Sequence, residues 1–531
     1  MGENARLVSL FDVLGPVMTG PSSSHTAGVL RIGRMGRSLL GGAPDTIELH
    51  FYGNALARTY KGHLSDSAIV AGLLGHKENS PGIRDALEEA SRRGIPVSYA
   101  VDYDSSRDPN TVDMRLSKNG RILNVVGITV GGGEILMTEL DGFSITLRGS
   151  EDGILFIADE SFDPERLFSL LDVSAKIQKS SRGKKTLYTC LLDGSPSGKV
   201  VESLHQEPGV HETFVLSPVL DYKLRDATPL FSSVRTMLEY AEKSACSLPE
   251  AAVAYECRRS GLSEAEVRSR IMEIWHTMKD SVAKGLRGEG RMVAGLVPGN
   301  CGAKVFAAVE TGRTVGGPVL GKAVARALAA METNACAGCV AAAPTAGSCG
   351  VVPGVLMTVA EERGASDEHA ADALLVAAII GVLVAMRASL SGSIGGCQAE
   401  IGVASAMAAS ALVHLSGGPS PQSAQAMALA LKNILGLVCD PVAGPVEIPC
   451  IKRNGIGVGN ALAAADMALS GLESAIPPDE VIGALVNTQN LLPSELRGTM
   501  KGGLGSTPTA LRLKEEWDGK ISAMLSKKNA V

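Results

Sequence analysis

Apolar and polar positions alternate with period two over residues 45–52 (DTIELHFY), which predicts a half-buried strand. Residues 81–93 switch to helical spacing, with Pro81 in the first turn and Gly94 as the stop. A strand pattern returns over 95–101. The runs 111–116 and 122–126 flank Asn119-Gly120, a dipeptide that favours a tight hairpin. Residues 46–143 therefore read as a mixed α/β domain. A second alternation follows, with a strand at 153–158, a helix at 163–171, strands at 175–180 and 186–192, a helix at 197–204 and a strand at 211–216. The order βαββαβ is that of a ferredoxin-like unit. Beyond Thr228 the strand signals largely stop. Ser247 with Glu250, and Ser263 with Glu266, have the spacing of capping boxes. From Gly302 onward, Ala-rich periodic segments alternate with Gly/Pro-rich breaks at 392–396, 441–449 and 502–507, which predicts a helical bundle with elaborate loops. The expected class is α+β multidomain: a mixed α/β domain over 1–148, a ferredoxin-like unit over 149–222 and an all-helical domain over 228–531.

Composition narrows the partners. With 45% hydrophobic but only 4% aromatic residues, the chain suits closely packed helices with small side chains at their contacts, and offers little for stacking on bases. The net charge of -6 is spread without basic runs, so neither nucleic acid nor an anionic membrane is expected as a partner, and a small molecule is. The longest apolar run, 373–386, is shorter than the roughly 20 residues of a bilayer span and lies between Asp372 and Arg387; it reads as a core helix. The N-terminus, with Glu3 and Arg6, lacks a secretory pattern. Ten cysteines in mostly apolar or Gly-rich surroundings suit a reducing compartment, so a cytoplasmic protein is expected. A homo-oligomer, a dimer, is a separate expectation.

Chemistry concentrates in three places. In SIGGCQAE (393–400) a Gly-rich turn sets Cys397 near a helix N-terminus, whose dipole favours thiolate. CDPVAGPVEIPC (439–450) carries Cys439 and Cys450 at the ends of a loop with three prolines. Three thiolates without a fourth suit a cluster with one open iron, able to take substrate oxygen and act as a Lewis acid. The plain alternative for any cysteine is a small buried hydrophobe, and this fits Cys190, Cys246, Cys257 and Cys301. Cys336 and Cys339, with Cys349 ten residues on, form a rival trio in a stretch that reads as core. The third place is GPVMTGPSSSHTAG (15–28), where Ser22, Ser23, Ser24, His25 and Thr26 run into a helix expected over 28–40. That is more hydroxyl than a cap needs, and such a helix start can bind a carboxylate. His63, in KGHLSD (61–66), fits a ligand contact and a surface position equally well.

Taken together, these segments resemble the bacterial iron-sulfur L-serine dehydratases over nearly the whole chain. SLFDVLGPVMTGPSSSHTAG (9–28), YKGHLSDSA (60–68), DPNTV (108–112) and VGGGEI (130–135) match the family's β part. AAPTAGSCGVVPGVL (342–356), GSIGGCQAEIGVASAMAA (392–409), LGLVCDPVAGPVEIPCIKRN (435–454) and LPSELRGT (492–499) match its α part, so the chain looks like a fusion with β first. The resemblance implies a [4Fe-4S] cluster on Cys397, Cys439 and Cys450 with one iron lacking a protein thiolate, and L-serine as substrate, dehydrated and deaminated to pyruvate and ammonia in an aconitase-like manner. It implies a histidine base, His63 first and His25 second, with Ser22, Ser23, Ser24 and Thr26 binding the substrate carboxylate at an interface between the β and α domains. It also implies that the β part resembles the allosteric substrate-binding domain of phosphoglycerate dehydrogenases and that 149–222 is ACT-like. There the usual D-x-P-G turn is replaced by Asp159-Glu160-Ser161-Phe162, which argues against amino-acid binding. Some single-chain relatives end in a cysteine that fills the fourth iron position, whereas this chain ends Asn529-Ala530-Val531. Two rival functions are an amino-acid-sensing regulator with a structural zinc site and a pyridoxal-phosphate ammonia-lyase using Gly131, Gly132 and Gly133 as a phosphate cradle.

Overall fold

Asn119 and Gly120 take φ angles of 52° and 80° and join the strands Thr111–Lys118 and Arg121–Gly131, as their dipeptide signature requires. The computed structural model describes residues 8–53, 55–103, 106–166, 176–222 and 228–528. By contacts the chain divides into two units: Gly28–Tyr60 with Leu64–Leu224, and Met1–Ala27 with Lys61–His63 and Arg225–Val531.

In the first unit the hairpin belongs to a six-stranded sheet ordered Val97–Asp102, Thr46–Tyr52, Thr111–Lys118, Arg121–Gly131, Glu134–Leu140, Phe143–Leu147. Its first two strands run parallel and the other pairs antiparallel. The helices Val29–Leu40 and Ser65–Leu74 pack through glycines: a Cβ on Gly33 would lie 2.2 Å from the Ile69 carbonyl oxygen, and one on Gly72 would lie 2.1 Å from that of Leu30. Any side chain there would force the helices apart. Ile32, Met35, Leu49, Phe51, Met114 and Val125 fill the core of this layer. The helix read over 81–93 forms as a 3-10 turn, Pro81–Asp85, followed by Ala86–Arg92, and Gly94 ends it at φ 71°.

The same unit contains a four-stranded antiparallel sheet ordered Val210–Leu216, Asp152–Asp159, Lys185–Leu192, Lys176–Arg182. The order fourth, first, third, second is the ferredoxin-like one that βαββαβ predicts. Its second helix, Gly198–Gln206, forms; most of the first, read over 163–171, lies outside the described residues. At the turn after the first strand, the Asp159 carboxylate accepts from the Ser161 N–H and hydroxyl and from His211 Nε2 at 2.8 Å, and these bonds hold its carboxyl down to about 2.

The second unit is a helical bundle. Ser247 with Glu250 and Ser263 with Glu266 form the expected capping boxes, opening Leu248–Ser260 and Glu264–Leu286. Beyond its acidic first turns the helix Asp367–Ala385 is apolar, and 83% of its most apolar 18-residue window is buried within the protein, which is the pattern of a core helix. Small residues let helices touch: a Cβ on Gly285 or Gly350 would fall on the backbone of Ala329 or Ala327. Glu256, buried, accepts from the Ser9 hydroxyl and the Leu10 N–H, both at 2.8 Å, so the N-terminal segment is anchored in this bundle. The helical half also contains one short strand that period-two reading did not identify. Cys339–Ala341 pairs antiparallel with Val17–Thr19, and this ladder brings the Ser22–Thr26 segment to the bundle.

Candidate metal centre and histidine pair

Cys397 sits between the short helix Gly392–Gly395 and a π-helical turn, Gln398–Gly402, that runs into Val403–Leu415. Gly396 makes the reversal at φ 75°, where an added Cβ would lie 2.8 Å from the Leu437 carbonyl oxygen. Cys450 is the first residue of the helix Cys450–Leu469, so two of the three thiols lie at the positive ends of helical segments. Cys439 is fixed by its backbone: its N–H donates to Leu496 O at 2.9 Å and its carbonyl accepts from Gly498 N at 2.7 Å.

The folded chain brings Cys397 and Cys439 together with Glu400, and Cys450 lies outside that group but acts on Cys439 by its charge. Ligand atoms of Cys397, Glu400 and Cys439 lie within 4.8 Å of one another. A hydrogen bond with Cys397, burial and the charges of Cys397, Glu400 and Cys450 push the Cys439 thiol well above its usual range. Burial, then Cys397 and Glu400, push Cys450 up as well. Burial also raises the carboxyl of Glu400, which accepts from the Thr345 hydroxyl at 2.8 Å and from the Gly392 backbone. The Arg453 guanidinium donates to Cys397 Sγ at 3.4 Å and to Val438 O, and pairs with Asp440 at 2.7 Å. One guanidinium, already paired, cannot neutralise three neighbouring thiolates and a carboxylate. A metal centre can, and it would reverse the upward thiol shifts. The donor set therefore fits a thiolate-bound metal or cluster. The rival trio does not assemble: among the described residues the candidate ligand group contains none of Cys336, Cys339 or Cys349. Cys349 lies in apolar packing against Met331, and burial raises its thiol to about 12.

Two acidic residues hold the ligand loop 439–450 in place. Asp440 accepts from the Leu504 N–H at 2.8 Å. Glu447, 3% exposed, accepts from the N–H groups of Ala294, Gly295 and Leu296 at 2.9, 3.0 and 2.7 Å. Glu447→Ala leaves those donors without their acceptor and is expected to lower stability by about 3 kcal/mol or more. Thermal unfolding and metal content of the purified variant check this: both should fall, and an unchanged melting temperature would contradict it.

The histidines meet in the same unit as the cysteines, with His63 bonded to the Gly444 backbone of the loop 439–450. The sequence reading placed them across a domain interface; the contacts group them with the bundle. Their rings face each other Nδ1 to Nδ1 at 2.9 Å, so one nitrogen donates and the other accepts. Burial and the His25 charge hold the His63 pKa well below the usual histidine range, partly offset by a hydrogen bond to the Gly444 backbone. The hydroxyl run differs from its sequence reading. The helical spiral starts at Ser23 as a π-helical turn, Ser23–Gly28, so Ser23, Ser24 and Thr26 lie within it instead of ahead of a helix at Gly28. Ser22 Oγ accepts from the His25 N–H at 3.1 Å, which caps the turn. Thr26 Oγ1 accepts from Ser22 N and donates to His63 O at 2.7 Å, which fixes the second histidine. Ser23 Oγ accepts from Ala346 N at 3.4 Å, Asn334 Nδ2 bridges Pro21 O and Ala346 O, and Ser24 Oγ lies 3.4 Å from Ser22 Oγ.

The serine dehydratase beta chain family matches residues 9–116, which hold both histidines, and the serine dehydratase alpha chain family matches 236–505, which hold the three cysteines. This chain belongs to the serine dehydratase family. It is 31% identical over 513 residues to L-serine dehydratase TdcG of Escherichia coli (strain K12), covering 94% of this chain and 98% of that one. It is 42% identical over 287 residues to the probable L-serine dehydratase, alpha chain, of Bacillus subtilis (strain 168), covering 54% of this chain and 95% of that one. With the corresponding beta chain it shares 36% over 211 residues, 38% of this chain and 94% of that one. Around this candidate centre, sequence reading missed Thr345, Glu400, Asp440, Glu447 and Arg453. Glu400 carried a usable signal, a lone acid in an otherwise uncharged run three residues after Cys397.

Proposed function

We propose that this chain is an L-serine ammonia-lyase that converts L-serine to pyruvate and ammonia, with a four-iron four-sulfur cluster on Cys397, Cys439 and Cys450. The observation that carries the reading is the meeting, in one compact unit, of three mutually repelling thiols and a buried histidine pair. When bound, the cluster supplies Lewis acidity to the leaving hydroxyl through an iron without a protein thiolate. His63 is the base. Burial keeps it neutral near pH 7, ready to take the α-proton, and the 2.9 Å contact lets His25 share that proton. Ser22, Ser23, Ser24 and Thr26 present the substrate carboxylate with hydroxyl and backbone donors while holding the histidines in register. Loss of the α-proton and the hydroxyl leaves aminoacrylate, which tautomerises to an imine and is hydrolysed to pyruvate and ammonia. In this reading 1–148 is the β part, 149–222 the ACT-like unit and 228–531 the α part of a cytoplasmic dimer.

The test is anaerobic purification followed by iron, acid-labile sulfide and pyruvate assays with L-serine. Iron, sulfide and pyruvate formation are expected together. On exposure to air, activity and iron should decay in parallel, and saturating L-serine should slow both, because a ligand that binds only the intact form protects it. Zinc without sulfide, or full activity after all iron is lost, would remove this reading.

A further inference from the structure

Two fully buried asparagines hold the turn 346–350, which follows the short strand Cys339–Ala341. Asn454 uses both halves of its amide: Nδ2 donates to Gly347 O at 2.9 Å and to Cys450 O at 3.0 Å, and Oδ1 accepts from Gly350 N at 3.1 Å. Asn334 uses one half. Its Nδ2 donates to Pro21 O at 2.8 Å and to Ala346 O at 3.2 Å, whereas among the described residues its Oδ1 has no hydrogen-bond partner. The two carbonyl oxygens fix the amide, because turning it over would set Oδ1 against both. The desolvation of a buried acceptor without a partner offsets most of what two neutral hydrogen bonds contribute, so net stability does not explain an asparagine here.

What the two bonds do is set position. Asn334 is the second-last residue of the helix Gly317–Ala335, and Thr333 beside it donates to Ser281 O at 2.7 Å, so the bundle fixes its backbone. The segment it reaches is the start of the hydroxyl run: Pro21 directly precedes Ser22, whose Oγ accepts from the His25 N–H. A Cβ on Gly20 would lie 2.3 Å from Asn334 O and from Oδ1, so the chain passes the asparagine at backbone distance. On the other side Ala346 N donates to Ser23 Oγ at 3.4 Å. Asn334 thus closes a ring of three segments, the helix end, residues 20–23 and Ala346, all within one unit.

We propose that Asn334 is a positioning residue that holds Ser22–Thr26 where their donors meet the substrate carboxylate. This rests on the proposed serine chemistry. In the protein as purified, hydrogen exchange of peptides covering 20–28 should rise about tenfold in Asn334→Ala, while exchange of peptides covering 439–450 stays as in wild type. In the loaded, anaerobic enzyme the same variant should show a rise of about tenfold in KM for L-serine, with kcat within about threefold of wild type and with iron and sulfide unchanged. Asn334→Asp, equal in size but without the two donors, should shift KM in the same direction. A merely structural role would lower the melting temperature and the active fraction, and with it kcat, at constant KM. That result overturns the proposal, as does exchange that rises throughout the chain or nowhere, or loss of iron. If Asn334→Ala does not fold, Asn334→Asp decides by the same two readouts. Failure of the wild type to form pyruvate would refute the serine chemistry instead, and exchange over 20–28 would still decide whether Asn334 holds the run.

Discussion

Replacing Cys397, Cys439 or Cys450 singly with serine is expected to remove iron, acid-labile sulfide and pyruvate formation, whereas Cys349→Ser keeps all three. The thiols of Cys439 and Cys450 are raised by burial and by neighbouring negative groups, so the site is unfavourable for thiolates until a positive centre joins them. A serine oxygen is a harder donor and far less readily ionised than a thiol, so each substitution removes one anchor from a set of three. Changing residues that merely support a metal ligand commonly costs 10–100-fold in affinity or activity, so losing a ligand itself should exceed about 100-fold here. Cys349 is 2% exposed and contacts Met331 Sδ at 3.5 Å in apolar packing, so its serine variant should lose about 1–3 kcal/mol of stability and retain the cluster. Cluster absorbance, iron content and activity measured side by side check the assignment. Retention of iron by Cys439→Ser together with its loss from Cys349→Ser would reverse it.

His63→Gln is expected to lower kcat by about 10²–10⁴-fold with iron content unchanged, the range lost when a general base is removed. The pH dependence follows from the direction of the shift. Burial and His25 depress the His63 pKa below 6.5, so the ring stays neutral as pH falls through 6.5 and becomes protonated only at lower pH. The acid limb of kcat/KM should therefore lie below pH 6.5. His25→Gln removes one of the depressing charges and should move that limb upward. The linked effect on stability has the same origin. Between 6.5 and the lower folded-state pKa the unfolded chain binds more protons, so His63 contributes a loss of stability as pH falls through that window. A limb above 6.5 in the wild type, or one that does not move in His25→Gln, would count against His63 as the base.

Much of the architecture was legible because its signals are local. The Asn119-Gly120 hairpin, the two capping boxes and the ferredoxin-like strand order each follow from a few neighbouring residues. The ladder Val17–Thr19 with Cys339–Ala341 was not legible, since three residues are too few for a period and the partner lies far along the chain. The π-helical turns at Ser23–Gly28 and Gln398–Gly402 were missed for a related reason: their extra residue per turn has no composition of its own. The chemistry split in the same way. The three cysteines stand out through flanking glycines and prolines, and His25 through its hydroxyl neighbours. Glu447 and Arg453 acquire meaning only from partners brought close by the fold, the 294–296 backbone and Cys397.

The ladder between Val17–Thr19 and Cys339–Ala341 joins a segment matched by the beta chain family to one matched by the alpha chain family. The Bacillus subtilis relatives are named as separate alpha and beta chains, whereas here both segments lie on one polypeptide. Fusion makes the pairing unimolecular, at an effective concentration on the order of millimolar. The histidine pair and the cysteines of this chain then remain together at any dilution.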